Sequence, residues 1–218
     1  VTRLNTTHFT LPEALRAAGY RTAHFGKWHL GPEPFSALGH GYEVDVPHTH
    51  HPGPMRKGFF APFPVWKDKG EPGDHLEDLL AEEAAAWLGE PREEPFYLAY
   101  WAFEVHNPWQ AKEEQVDHFR AKAKPGAPQR HPVYAGMIQS LDLAVGRLVA
   151  ALEESGQLDD TLIVFLSDNG GVSRSCETPV MPAEFHGVPI TGSASAPNTL
   201  SALSSLPRPY SPSPTPAY

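Results

Sequence analysis

A lysine and a histidine stand close together near the start of the sequence, in a segment bounded by glycines. Lys27 and His29 flank Trp28, between Gly26 and Gly31. An ammonium group and a titratable imidazole at this spacing can both contact one bound oxyanion. The alternative is an ordinary turn, with a solvated lysine and a histidine packed on the tryptophan.

Two later positions carry further candidate groups. His106 stands before an Asn-Pro pair, a position that also suits a hydrogen-bonded structural histidine. Asp168 and Asn169 stand before two glycines and offer the oxygen ligands that Ca²⁺ or Mg²⁺ binds. The same residue types are common in turns, so taken alone this pair fits a metal site and an Asx turn equally well.

Three more histidines, His48, His50 and His51, suggest zinc. However, no cysteine pair or second histidine pair stands at the spacing of a structural zinc site. We therefore predict no metal site there. The only cysteine, Cys176, permits no disulfide within the chain.

Hydrophobic periodicity predicts the elements that must position these groups. Helices are predicted at about 10–18, from an N-cap at Asp74 to about 88, and at about 132–155, and strands at 20–25, 96–103 and 161–166. The strand at 96–103 reads as covered on both faces, and 161–166 as a central parallel strand. Residues 32–73 are predicted to form a long loop.

Each predicted strand is followed at once by one of the polar clusters. A helix that leads into a buried strand is half of a right-handed crossover. We therefore expect an α/β fold whose central, mostly parallel sheet is flanked by helices. Ligands of such sheets bind beyond the carboxyl ends of the strands, which is where the candidate groups would lie.

Composition excludes several classes of protein. The 218 residues carry a formal net charge of −9, so a basic nucleic-acid footprint is absent. No run approaches the roughly 18 to 20 consecutive apolar residues of a membrane span, so none is predicted. Residues 172–218 hold 9 Pro and 9 Ser in 47 positions, which predicts no packed structure. We interpret this tail as disordered, or as an aberrant, out-of-frame end.

Three segments resemble the motifs of the sulfatase family. The run from Gly19 to Gly31 resembles the family signature G-Y-x-T-x-x-x-G-K-W-H-L-G. Val105 to Pro108 is similar to its V-H-x-P motif, and Ser167 to Gly171 matches its S-D-N-G-G motif. The motifs occur in the family's order and cover about residues 8–171.

The resemblance implies a formylglycine-dependent, arylsulfatase-like enzyme on the α/β fold shared with alkaline phosphatase. It implies that Lys27 binds the sulfate and the aldehyde hydrate, and that His29 hydrogen-bonds the hydrate and helps to expel sulfate. His106 would contact the sulfate and the leaving oxygen. Asp168 and Asn169 would bind a Ca²⁺ that polarises the sulfate. The implied substrate is a sulfated small molecule or glycan.

The sequence also departs from the family. It contains neither C-x-P-S-R nor S-x-P-S-R, and Cys176 lacks the proline and arginine spacing of a nucleophile. The family's early Asp-Asp pair and later G-K-x-x-x-Y-E-G-G segment are missing too. We therefore expect residues 1–171 to be part of a catalytic domain that is inactive alone.

Two alternatives stay open at this point. One is a phosphodiesterase or phosphonate hydrolase of the same superfamily, and the other is a non-catalytic fragment or pseudoenzyme. The sequence does not indicate localisation, although the resemblance implies that a periplasmic or secreted protein is plausible.

Overall fold

The computed structural model describes residues 3–51, 53–54, 58–64, 66–125, 131–168 and 170. It divides into two compact units, residues 1–164 and 165–218, and the elements below all lie in the first. In chain order they are α1 Leu11–Ala17, β1 Arg21–Gly26, a 3₁₀ turn Leu38–His40, β2 Val44–Val46, α2 Leu76–Gly89, β3 Phe96–Trp101, α3 Glu113–Lys122 and α4 Pro132–Glu154.

The three strands form one parallel sheet in the order β2-β1-β3. β1 lies in the centre, and five of its six residues are buried. His24 of β1 is level with Asp45 of β2 on one side and with Ala99 of β3 on the other. The prediction of a parallel sheet flanked by helices is confirmed, and all three carboxyl ends lie at one edge.

The helices pack into one hydrophobic core against this sheet. α2 lies against α4 and against β1, and α4 lies against α3. Leu80 and Trp87 of α2, Phe25 of β1 and Met137 of α4 are buried together. The predicted apolar stripe of α2 is therefore core. Burying each of these large side chains stabilises the fold by about 1.5–3 kcal/mol relative to leaving it exposed.

α4 also has the length and apolar composition of a membrane-crossing helix. Core helices of globular proteins have the same length and composition, so this is weak evidence. In the described residues α4 packs along α2 and α3. The absence of a membrane span stays a prediction.

The predicted 32–73 loop is wrong in one respect that matters for the site. Val44–Val46 forms strand β2, which pairs in parallel with β1. All three β2 residues are only half-buried. So short a strand leaves no periodic signal, and its pairing depends on β1 rather than on its own sequence.

The predicted N-cap of α2 is also wrong. His75, not Asp74, precedes the first helical residue. The Asp74 carboxylate instead accepts a hydrogen bond from the backbone N–H of Glu71, at 2.8 Å, and so closes a turn before the helix. Asp is favoured in both settings, which is why the sequence alone misplaced the cap.

Two strand predictions need correction. β3 ends at Trp101 rather than at 103, and most of its residues are half-buried rather than covered on both faces. Residues 161–166 form no strand, and Leu162 is 88% exposed. Within the described residues no neighbouring strand pairs with this segment, and an apolar run without a hydrogen-bonding neighbour cannot form a sheet.

The remaining predictions have mixed outcomes. α1, β1 and α4 lie where the sequence predicts them, whereas α3 was not predicted. α1 begins as its capping pattern indicates, because the Glu13 carboxylate accepts from the Thr10 N–H at 2.7 Å. Cys176 and the 172–218 tail lie outside the described residues, so the domain boundary at 171 stays a prediction.

Candidate active site at the carboxyl edge of the sheet

The backbone fixes Lys27 at the point where β1 leaves the sheet. The Lys27 N–H donates to the Trp101 carbonyl at 2.7 Å, the last rung between β1 and β3. Next along the chain, the Trp28 indole N–H donates to the Phe35 carbonyl at 2.8 Å. The Trp28 ring also stacks on that of Trp101, with centroids 5.3 Å apart. Trp28 is thereby buried, while Lys27 is half-buried and His29 is exposed.

His106 lies beyond the carboxyl end of β3, the strand next to β1. Its backbone N–H donates to the Phe103 carbonyl at 3.0 Å. Its Nδ1 is 2.6 Å from the Asn107 carbonyl oxygen. A carbonyl only accepts, so Nδ1 carries a proton and Nε2 is the nitrogen that can exchange a proton with a ligand. The structural hydrogen bond considered for His106 is thus made by Nδ1 alone, and the residue remains exposed.

The pKa of His29 depends on the other candidate groups at this edge. The pKa of His29 is lowered, first by desolvation of its ring, although the residue as a whole is exposed, and then by the nearby bases Lys27, His106 and His51. Charges influence one another in this way only at short range. Lys27, His29 and His106 thus each follow a strand that ends at this edge of the sheet, and they form a cluster of one ammonium and two imidazoles that suits an oxyanion.

A buried histidine–aspartate pair lies in the two strands, β1 and β2, that lead to this edge. His24 Nδ1 lies 2.7 Å from Asp45 Oδ1, and both side chains are almost fully buried. The other oxygen of Asp45 is 2.8 Å from His48 Nδ1. The pair joins β1 to β2, and the His24 ring meets the edge of Trp28 and of Trp101. The sequence analysis missed both residues because it did not predict β2.

A second buried polar group is Glu77 of α2, which lies against β3. The Tyr100 hydroxyl donates to Glu77 Oε1 at 2.7 Å, while the buried Oε2 has no hydrogen-bond partner among the described residues. Burial raises the pKa of Glu77 to about 7. Burial and the nearby Glu77 raise the pKa of Glu104 to about 10.

Glu104 also lies 3.3 Å from His75 Nε2, but this contact is not a charged pair. Burial lowers the pKa of His75 to about 4, and desolvation disfavours the charge on both side chains. Both are therefore neutral near pH 7. Through Tyr100, Glu77 ties α2 to β3, the strand that leads to His106, so we assign it a structural role.

His51 joins the cluster although the sequence analysis considered it only for zinc. It follows β2 and acts electrostatically on His29. No signal in the sequence identifies it, because β2, the strand that leads to His51, has only three residues and leaves no periodic pattern. Within the described residues, no group of three His, Cys, Asp or Glu side chains is arranged to hold a metal ion.

The predicted calcium ligands belong to the segment 165–218, which forms a separate compact unit. Asp168 belongs to the second compact unit and is exposed, and Asn169 lies outside the described residues. The Ser167 hydroxyl accepts from the Gly170 N–H at 3.0 Å, as in a turn. A Ca²⁺ site gathers about six to eight oxygens. Asp168 and Asn169 would supply only part of such a set, so the calcium site stays a prediction.

Comparison with known proteins gives one consistent result. The Sulfatase family model matches residues 2–195. Bovine arylsulfatase A is 31% identical over 188 residues, covering 74% of this chain and 35% of that protein. Mouse N-acetylgalactosamine-6-sulfatase is also 31% identical over 188 residues, covering 76% of this chain and 33% of that protein. The chain thus spans about a third of the length of these relatives.

Solved structures agree with the sequence relatives. The crystal structure of Ps i-CgsB in complex with k-i-k-neocarrahexaose superposes with a TM-score of 0.62 at 28% identity. The match covers 78% of this chain and 42% of that one. The fold, the cluster at the carboxyl edge of the sheet and these matches lead to one conclusion: the chain belongs to the sulfatase family.

Proposed function

We propose that this chain forms the sulfate-binding part of a sulfuric ester hydrolase. The observation that carries the proposal is the convergence of Lys27, His29 and His106 at one edge of the sheet. Each follows a strand that ends at this edge, and Lys27 and His106 both influence the pKa of His29. Cationic and hydrogen-bonding groups fixed in this way stabilise charge on sulfate oxygens without reorganising during the reaction.

Each residue has a proposed role that its surroundings support. Lys27 holds the sulfate, because a lysine ammonium is a compact positive charge with three N–H donors for anionic oxygens. His29 accepts and returns a proton, since its lowered pKa leaves the imidazole neutral near pH 7. His106 presents Nε2 to the leaving oxygen, because its Nδ1 is committed to the Asn107 carbonyl.

The 218 residues contain no motif for the nucleophile of such an enzyme. We propose that the complete enzyme carries a formylglycine, made from a C-x-P-S-R or S-x-P-S-R motif that this chain does not contain. We also retain Ca²⁺ as the proposed cofactor, with Asp168 and Asn169 as two of its ligands. Its charge would polarise the sulfate oxygens.

The proposed substrate is a sulfate ester on a glycan. Two relatives support this class, since one is named for N-acetylgalactosamine-6-sulfate and the other was crystallised with an oligosaccharide. The absence of the nucleophile motif supports a second candidate for the 218-residue chain itself, namely an anion-binding fragment without turnover.

A turnover assay separates these candidates. We would measure hydrolysis of 4-nitrophenyl sulfate and bis(4-nitrophenyl) phosphate by this chain and by a longer protein containing it and a nucleophile motif. We expect the longer protein to prefer the sulfate and this chain to be inactive. Preference for the phosphodiester would support the phosphodiesterase alternative, and inactivity of both proteins would support the non-catalytic one.

A further inference from the structure

The loop after β2 carries a histidine that the proposed function does not use. His51 stands five residues beyond Val46, the end of β2. β2 runs parallel to β1, so this loop leaves the sheet at the same edge as Lys27. Polar side chains therefore follow all three strands at this edge, and not only β1 and β3, which precede the sulfatase motifs.

The loop reaches across this edge to His106. A Cβ built on Gly53 would lie 3.4 Å from both Cε1 and Nδ1 of the His106 ring, so the His106 ring occupies the space directly beside Gly53. His51 Nδ1 is 3.3 Å from the Gly53 carbonyl oxygen. A carbonyl only accepts, so Nδ1 donates and Nε2 is the His51 nitrogen that can meet a ligand.

The backbone also fixes His51. Its N–H donates to the hydroxyl of Thr49 at 3.2 Å, and Thr49 is buried. His48, on the same loop, is held differently, because its two ring nitrogens face carboxylates. Nδ1 is 2.8 Å from Asp45 and Nε2 is 3.7 Å from Glu33. Two neighbouring histidines therefore have different surroundings, one acidic and one basic.

The charge around His51 favours an anion. His51, Lys27 and His106 all act on His29 in the direction of positive charge. One ammonium and three imidazoles together offer several N–H donors to an anion. Two carboxylates lie beside His48. The groups that act on His29 together with His51 are instead the bases Lys27 and His106.

We propose that His51 is an additional anion-binding residue of this site, which contacts a sulfated substrate from the loop that follows β2. The inference rests on the proposed function, because it assumes that the ligand of the site is a sulfate. It assigns the β2 loop to substrate binding and makes His51 Nε2 the contacting atom.

The test uses the 218-residue chain and needs no turnover. The ¹H–¹³Cε1 signals of the histidines are followed by NMR at pH 6 while sodium sulfate is added, with sodium chloride at equal ionic strength as the reference. We expect the His51, His29 and His106 signals to shift together with one dissociation constant. His51→Asn should weaken sulfate binding by about fivefold or more, as expected for loss of a charge-assisted hydrogen bond.

Two variants make the test specific. His48→Asn on the same loop should leave the dissociation constant within about twofold, because His48 faces Asp45 and Glu33. His51→Lys restores a cation and should recover most of the affinity. Unchanged signals of the buried His24 and His75 show that each variant is folded.

The outcomes separate the inference from the proposed function. If sulfate shifts His29 and His106 but His51→Asn leaves the affinity unchanged, the inference is wrong and the proposed function stands. Equal weakening by His48→Asn and His51→Asn would also overturn it, since a general effect of loop charge would then suffice. If sulfate shifts none of these signals beyond the chloride reference, both the inference and the proposed function fail.

Discussion

Gly26 and Trp101 touch through their backbones where β1 and β3 end. A Cβ on Gly26 would lie 1.9 Å from the Trp101 carbonyl oxygen, and the Gly26 φ of +119° is one that other residues rarely adopt. The same carbonyl accepts the N–H of Lys27 at 2.7 Å. The glycine before Lys27 is thus required for the close approach that holds the lysine at the sheet edge.

Gly26→Ala should therefore destabilise the protein strongly. The methyl group meets backbone rather than a movable side chain, so we expect a loss of about 3 kcal/mol or more. Gly19→Ala is the matched control, because Gly19 also has a positive φ, of +90°, but nothing lies within 4 Å of its Cβ position. It should cost only about 1–2 kcal/mol, the penalty of the backbone conformation. Urea unfolding followed by tryptophan fluorescence would measure both, and equal losses would contradict the contact argument.

Lys27 should raise the rate of sulfate ester hydrolysis in a complete enzyme. By analogy with other oxyanion-stabilising groups, Lys27→Ala should lower kcat by roughly 10² to 10³. Lys124→Ala, which removes an exposed lysine after α3, is the control and should leave kcat unchanged. A loss below about threefold for Lys27→Ala would contradict the assignment.

The pKa of His29 gives a test of the same cluster that needs no activity. Burial is the main cause of its lowered pKa, and the charge of Lys27 is the second. Lys27→Met should therefore raise the pKa of His29, yet leave it below 6.5 because the burial remains. An NMR pH titration of this chain measures the change, with Lys124→Met as the control. An unchanged pKa would mean that the ammonium of Lys27 does not face His29.

Local motifs and hydrophobic periodicity carried different parts of the prediction. Lys27, His29 and His106 could be named because their motifs resemble those of the sulfatase family, and their roles stay predictions. β2 and the position of His51 could not, since a three-residue strand is defined by its pairing with β1. The run 161–166 has the composition of a buried strand, but burial depends on neighbours that the run itself does not encode.

The buried carboxyl of Glu77 makes stability depend on pH. Its pKa is about 7 in the folded chain, against 4.5 for an ordinary glutamate, because burial disfavours the charge. The folded state therefore binds more protons than the unfolded state between these values. The contribution of Glu77 is fully present below pH 4.5 and is lost as the pH rises through about 7.

Glu77→Gln should remove that dependence, because the amide is neutral at every pH and still accepts from Tyr100. We would subtract the unfolding temperature of the unchanged chain from that of the variant at each pH. This difference should be more positive at pH 8 than at pH 5. Glu71→Gln, on an exposed loop, should show no such difference. Thermal unfolding at the two pH values provides the measurement, and parallel shifts for both variants would show that Glu77 is already ionised at neutral pH.

The exposed run at 162–166 should make this chain prone to association. Its five side chains are all apolar, and their exposed fractions run from 48% for Ile163 to 88% for Leu162. Such a segment, extended and without a paired neighbour among the described residues, is a template for strand pairing between chains. Replacing Leu162 and Val164 together by lysine should therefore reduce binding of the dye ANS and lower the aggregation rate.

Leu143→Lys on α4 provides the control, since Leu143 is also about half exposed, at 52%, but stands on a folded helix. It should change dye binding little, because a single apolar side chain on a helix offers no free backbone hydrogen bonds. Light scattering over a range of protein concentrations would measure association directly. If the lysine pair left both readouts unchanged while Leu143→Lys reduced them, association would depend on the helical surface, and the unpaired segment would have no part in it.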